Sequence, residues 1–387
     1  MEIHLVLVDD WELRGNGSGD ARKIQFEPMR KLCSIYEEHG FRGTYNVEVM
    51  QQLHHRGLGH RHTELRAIAD EWERQVLETY DRGHDIQLHV HPQWRGASYD
   101  GSTWSLPGDW NLLRHDTGAI REMLVETKAY LEGLLRQANS DYRCVSFRSG
   151  AWCIAPHDDV LTVLGELGIV FDMSICAGLH YDLEQVQLDY RRVDEPFLPY
   201  YPSMTDARRV SDKAEPIICC PTFSFPYIIG ARRKLWAHLA RRLAPGYHAS
   251  LFQPPSFNVA DDYSSEYWSS DNAAPRPPRH SLWDRIRRFA SAGTPAHIVA
   301  DLANMSFVQM SDMVDEIRRR AARAGRSPLP VILENHTKDI GSFEPIVRFC
   351  GLLARQRDVR VVTAAEIARG FEKGRYLVRR SSSPKAA

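Results

Sequence analysis

The feature that most constrains this chain is its rhythm. Short apolar runs, each about a strand long, alternate with stretches whose apolar residues recur at helical spacing. Parallel strands need long crossover connections, usually helices, so the rhythm predicts β-α units around a parallel sheet or barrel. Residues 3–8 form the first apolar run, and 43–47, 85–90, 142–147 and 169–172 read as the next four strands. Residues 216–220, 330–334 and 359–362 read as later ones. Helical stripes lie between them: Phe26, Met29, Leu32, Cys33 and Tyr36 before Gly40, then Leu65, Ile68, Trp72, Val76 and Tyr80 before Gly83. Glycine just past the last periodic residue is a helix stop. Further helices are expected near 120–136, 158–167 and 364–371.

The rhythm breaks between 226 and 325. Two basic helices with apolar patterning, 231–243 and 282–290, flank a loop at 254–280 rich in Pro, Ser, Asp and aromatics. No internal repeat is present. The expected organisation is therefore a barrel over 1–225, an insertion over 226–325, the rest of the barrel over 326–375, and a flexible tail over 376–387.

Composition narrows the compartment and the partners. A net charge of −1 gives no global field toward nucleic acid, and no apolar stretch approaches bilayer length. The seven cysteines are odd in number, form no Cys-x-x-Cys pair, and sit in apolar runs such as Ile217-Ile218-Cys219-Cys220. Buried free thiols in a reducing compartment follow, so a cytoplasmic location is expected. The start, Met1-Glu2-Ile3-His4-Leu5-Val6, lacks a basic segment and cleavage site. Histidine is abundant, at 17 residues, which directs attention to metal or proton-transfer chemistry.

His89 and His91 lie in an extended run, Gln87-Leu88-His89-Val90-His91-Pro92. Strand side chains repeat every two residues, so both imidazoles share a face, about 7 Å apart along the strand. They can converge on one cation. With Asp10, from the Asp9-Asp10 pair after the first strand, they make an Asp-His-His set. Three protein ligands and an open position describe a catalytic zinc-like site. An Asp-Asp pair after a strand can equally open a loop; neighbouring side chains there diverge, so one can bind metal while the other meets water. Arg148 follows the fourth strand, where a cation can pair with a carboxylate at the barrel mouth. His336 ends the run Val331-Ile332-Leu333-Glu334-Asn335, a titratable group placed to deliver a proton near neutral pH. His54-His55 and His60-Arg61-His62 sit in a polar, glycine-bearing stretch and read as a solvated loop.

These motifs resemble the polysaccharide deacetylases, the NodB-homology family (carbohydrate esterase family four). The likeness is carried by Val8-Asp9-Asp10, residues 83–91, Phe147-Arg148-Ser149-Gly150, Phe171-Asp172-Met173-Ser174 and residues 333–336, with Gly43-Thr44-Tyr45 in support. It covers roughly 1–225 and 326–372. The resemblance implies an α/β fold, a distorted (β/α)7 barrel of the NodB kind carrying a long, mostly helical insertion. It further implies Asp9 as general base, Asp10 and His89 as metal ligands, and Arg148 as a tether for the base. His336 would be the general acid, with Asp172 orienting it. Two departures stand out. The family's second metal histidine falls at position 93, which is Gln93 here, so His91 is expected in its place. The third motif reads Ala151-Trp152 where a proline is usual, which reshapes the substrate pocket around Trp152.

The implied activity is a metal-dependent N-deacetylase, most simply zinc-dependent, hydrolysing the N-acyl group of a sugar or sugar-containing intermediate. Trp94, Trp104 and Trp110 crowd the loop after His91 as a carbohydrate platform, or alternatively as packing under a long loop. The basic helices, with Arg232, Arg233, Lys234, Arg241, Arg242, Arg285, Arg287 and Arg288, could bind phosphate, pointing to a nucleotide- or lipid-linked sugar. They could equally rest on a membrane surface. Two competing readings remain: an allantoinase-like hydrolase of a cyclic or small amide, and a non-catalytic carbohydrate-binding barrel. Oligomeric state is not legible.

Overall fold

The computed structural model describes residues 2–156, 159–183, 186–227 and 296–381. The two basic helices and the loop at 254–280 lie outside the described residues. Strand β1 (Ile3–Trp11), helix α1 (Glu27–Glu38), β2 (Thr44–Glu48), α2 (Val49–Leu58), α3 (Thr63–Asp81) and β3 (Asp85–Val90) open the chain. They are followed by α4 (Thr117–Leu135), β4 (Ser146–Ser149), α5 (Asp159–Glu166), β5 (Phe171–Asp172) and β6 (Ile218–Cys219). After the hairpin strands β7 (Ser224–Tyr227) and β8 (Ala296–Val299) come α6 (Phe307–Ala324) and β9 (Leu329–Leu333). The chain closes with α7 (Glu344–Leu353), β10 (Val359–Val361) and α8 (Ala364–Glu372).

Seven strands pair in the order β6-β5-β4-β3-β2-β1-β9, with β10 added beside the start of β1. Every pairing in this sheet is parallel. The ring closes through a parallel bridge between Thr222, just past β6, and Ile332 of β9. The Phe223 N–H donates to the Ile332 carbonyl at 2.8 Å. The expected distorted (β/α)7 barrel is thus present, and its strands fall within a few residues of their expected positions.

Each strand shows the barrel and the helix layer different residues. Val6 and Val8 of β1 join Phe171, Met173, Ile218, Cys220 and Ile332 in one apolar cluster inside the barrel. Leu5, Leu7 and Trp11 instead join the cluster under the helices, where the Trp11 ring lies 5.6 Å from Phe26 and 5.5 Å from Trp72. A strand buried on both faces is usually apolar throughout. Here the inner face turns polar toward the carboxyl end of the barrel.

Two sequence expectations change at the edges of the barrel. Residues 49–58 are helical because the Glu48 side chain caps α2, accepting from the Met50 and Gln51 N–H groups. His55 is therefore buried rather than solvated, and burial pulls its imidazole down to about 3. At the other end, the chain expected to be free from residue 376 stays packed as far as Arg379. Tyr376 is buried, its hydroxyl 2.6 Å from His4 Nδ1, and Arg379 bridges Tyr200. Within the stretch expected as an insertion, β7 and β8 pair antiparallel, and α6 packs beside α7 before leading into β9. No described helix is long and apolar enough to cross a membrane. All seven cysteines are buried and unpaired.

Candidate active site

Three strands each bring an i, i+2 pair to the inner face: Asp10 and Glu12, His89 and His91, Glu334 and His336. Strand β1 runs three residues beyond its expected end, and this carries Glu12 into the mouth. All six residues are buried.

The first group is Glu12, His89 and His91, whose ligand atoms lie within 4.8 Å of one another. Glu12 Oε2 faces His89 Nε2 at 3.1 Å and touches His91 Nε2, while its Oε1 accepts from Lys338 Nζ at 2.9 Å. His89 Nδ1 lies 2.9 Å from the Arg148 carbonyl, which can only accept. The Nδ1 proton is thereby fixed, and His89 Nε2 turns a lone pair toward a carboxylate oxygen. That arrangement calls for a cation at the point where the three atoms meet, either a proton or a metal ion. Two imidazoles and one carboxylate are a donor set and a ligand count that suit a catalytic zinc-like ion. The residues present therefore fit a metal.

Burial alone would raise the Glu12 carboxyl, but His91 and Lys338 override it and hold it well below the usual range. Burial opposes protonation of His89 too; Asp10 and Glu12 outweigh it and raise that imidazole, while burial keeps His91 low. The backbone around His91 is tightly held. Its N–H donates to Glu48 Oε1 at 3.0 Å, and a Cβ at Gly150 would come within 2.9 Å of its ring. Only glycine allows that approach.

The second group lies beside the first. Arg148 Nη1 donates to Glu334 Oε2 at 2.7 Å, and its Nε lies 3.4 Å from Asp10 Oδ1. His336 Nε2 lies 3.3 Å from Glu334 Oε1 and 3.9 Å from Asp10 Oδ2. Asp10, Glu334 and His336 could also enclose an ion. Arg148 is fully buried between the two carboxylates, however, and already supplies the positive charge. The group reads better as an acid–base set.

Burial raises the Glu334 carboxyl to about 7, against the pull of Arg148 and His336. Burial would lower His336, but Asp301 and Glu334 raise it well above the ordinary imidazole range. Asp301 Oδ2 sits 3.1 Å from His336 Nδ1 and also accepts from Asn304 Nδ2 at 2.8 Å. Trp152 closes this side: its Nε1 donates to Glu334 Oε2 at 3.0 Å and its ring meets His336 edge-on at 5.8 Å. Ala151 and Trp152 both have positive φ, 52° and 56°. Consecutive non-glycine residues in that region are strained, and such strain gathers at functional sites.

Measured against the sequence expectations, His89 and His91 come together as a pair, but Glu12 completes the set in place of Asp10. Asp10 turns to Arg148 and to Asn46, whose Nδ2 donates to Asp10 Oδ1 at 2.9 Å. Asp9, expected as the base, falls on the opposite face of β1 from Asp10 because side chains alternate. It accepts from Asn335 there, and burial raises it well above the carboxylate range. Arg148 consequently meets Asp10 and Glu334, not Asp9.

Asp172 does not reach His336 either. It follows Phe171, which points into the barrel, so its own side chain points out; it accepts from the Ser174 hydroxyl at 2.6 Å. Asp301 takes the orienting place. Among the tryptophans, Trp152 reaches the site. Trp94 and Trp110 are 2% and 3% exposed, too covered to offer a ring face. Trp94 meets His55 and the half-buried Trp104 edge-on, which packs this loop onto α2. Glu12, Glu334, Asp301 and Lys338 escape a motif search. The period-two spacing of Asp10-x-Glu12 and Glu334-x-His336, matching His89-x-His91, is the signal that marks the first two.

No protein-family profile and no curated protein matches this chain. Among solved structures it is similar to one named as a polysaccharide deacetylase from Mycobacterium smegmatis, at 13% identity and a TM-score of 0.47, covering 99% of this chain and 95% of that one. It is similar to PuuE allantoinase at 12% identity and a TM-score of 0.46, covering 96% and 90%. A structure named as a polysaccharide deacetylase from Pseudomonas aeruginosa PAO1 gives 12% identity and a TM-score of 0.45, covering 96% and 91%.

Proposed function

We propose that this chain is a metal-dependent hydrolase of amide bonds, an N-deacetylase acting on a sugar or sugar-containing intermediate. The observation that carries this reading is the meeting of Glu12 Oε2, His89 Nε2 and His91 Nε2 at one buried point, next to a separate set of Arg148, Glu334 and His336. Glu12, His89 and His91 would hold a divalent ion, most simply zinc. When bound, it supplies Lewis acidity toward water and an amide carbonyl.

The protein side chains divide the proton work. Glu334, near 7 and held at Oε2 by Arg148 and Trp152, presents Oε1 as the base that takes a proton from the attacking water. His336, kept protonated by Asp301 and Glu334, donates from Nε2 to the departing amine. A carboxylate raised to neutrality beside an imidazole raised above it gives one group of each kind at one pH. Asp10 and Asn46 fix the guanidinium side of this pocket. Tyr181, half-buried and stacked on Trp152 at 6.4 Å and 28°, supports an aromatic wall for the C–H face of a sugar ring. The buried unpaired thiols support a reducing compartment.

The test uses the purified full chain, reconstituted with zinc and then dialysed. Expected are one tightly held ion per chain and release of acetate from N-acetylated sugars, lost with a chelator and restored by metal. Chelator-insensitive protein that binds no ion would refute the reading; preference for small cyclic amides over sugars would refute the substrate class alone.

A further inference from the structure

The two histidines of the first group are anchored in different ways. His89 Nδ1 meets a backbone carbonyl, the oxygen of Arg148, at 2.9 Å, so its proton location is set once and for all. His91 Nδ1 meets the side-chain amide of Gln93 instead, with Nε2 of that amide at 2.8 Å. Gln93 is fully buried, and its Oε1 has no hydrogen-bond partner among the described residues. Buried amide oxygens are rarely left unpaired.

We infer that Gln93 is a positioning residue that sets the tautomer of His91 and thereby the affinity of the site for a divalent ion. The inference rests on the metal reading of Glu12, His89 and His91. In the orientation seen, the amide nitrogen faces His91 Nδ1, and a donor there leaves the imidazole proton to Nε2, the nitrogen that lies toward Glu12. A metal ligand needs the lone pair at Nε2 and therefore a proton at Nδ1. Rotating the amide by half a turn places Oε1 opposite Nδ1, where it accepts that proton, and moves the amide nitrogen to the place Oε1 held.

The neighbours leave the side chain little choice but rotation. The Gln93 main chain is packed so closely that a Cβ at Gly108 would fall 2.7 Å from its carbonyl oxygen. Its amide nitrogen also reaches the Gly15 carbonyl at 3.3 Å, a long contact that rotation gives up. A leucine could not serve both states. Glutamine, with a donor and an acceptor on one pivot, can.

The test compares wild type, Gln93→Glu and Gln93→Leu as full-length protein. Zinc dissociation constants are read by competition with a chromophoric chelator, without substrate. Nitrogen chemical shifts of His91 report its tautomer with and without zinc. Gln93→Glu keeps an acceptor and should bind at least as tightly as wild type. Gln93→Leu, with neither donor nor acceptor, should bind about 10–100-fold more weakly, the usual cost of losing an outer-shell partner. In zinc-loaded wild type the His91 proton should sit on Nδ1. Equal weakening in both variants, unchanged affinity in Gln93→Leu, or a proton that stays on Nε2 would overturn the inference. Should Gln93→Leu fail to fold, the tautomer readout and Gln93→Glu still decide. Wild type that binds no zinc at all sinks the metal reading, and this inference with it.

Discussion

Replacing Glu12 by glutamine probes the metal group through stability as well as binding. Glu12 and Lys338 are 5% and 4% exposed at the side chain and 2.9 Å apart, so this carboxylate supplies counter-charge to a buried ammonium. Breaking a buried pair from one side costs about 3–5 kcal/mol, because the remaining charge stays desolvated. The amide oxygen of glutamine still accepts from Nζ, which places the expected loss near the lower end, about 3 kcal/mol. Urea unfolding in the presence of chelator measures it without any ion. Adding Lys338→Met should recover part of the loss, since the ammonium that faced Glu12 is gone.

The pH dependence has a definite sign. The Glu12 carboxyl is lower folded than its unfolded value of 4.5, so its stabilisation is present above that pH and fades as pH falls through the folded value. The gap between wild type and Glu12→Gln should hold steady from pH 8 to about 5 and narrow only below. In parallel, zinc binding should be lost from Glu12→Gln. A gap under about 1 kcal/mol, no recovery in the double variant, or wild-type zinc affinity would show that Glu12 does not hold this group together.

His336→Ala should lower turnover by about 10²–10⁴-fold while keeping the metal, as read by kinetics and elemental analysis; a near-wild-type rate would remove it as the acid. Asp301→Asn takes away the partner that raises His336, so the limb on which activity falls with rising pH should move to lower pH; an unmoved limb would deny Asp301 that role. Trp152→Phe keeps the ring and deletes a donor to Glu334, a bond to a charged acceptor worth about 1.5–3 kcal/mol. The acidic limb of the kcat profile should shift upward, above the value near 7 that Glu334 now has, and a profile unchanged in shape would contradict the assignment of Glu334 as base.

The barrel was legible because its signal is repeated. Apolar runs and helical stripes recur along the chain, and one misjudged boundary leaves the order of elements intact. Site residues tolerate no such error. Ending β1 at Val8 made Asp9 and Asp10 look like two strand-end groups; extending it to Trp11 puts them on opposite faces and brings in Glu12. The adjacent Asp-Asp pair drew attention that belonged to the alternating Asp10-x-Glu12. Asp172 stood one residue out of phase with the inner face set by Phe171 and Met173. Asp301 was beyond sequence reasoning for another cause: it comes from the stretch where the rhythm fails, and a bridge to Glu334 carries it to the mouth. For the tryptophans after His91 the only signal is composition, which cannot tell a ring that faces a ligand from one that seals a loop. Trp152 sits where it does by virtue of backbone angles that no residue-type pattern announces.

The antiparallel ladder between β7 and β8 also bears on how such a chain can change over generations. The backbone departs at Tyr227 and returns at Ala296, its register partner. Tyr227 and Ala296 thus set one doorway beside the ring of strands. A short turn would satisfy the same two ends. Asp301, just inside the threshold, keeps its station beside His336 whatever the length of the excursion.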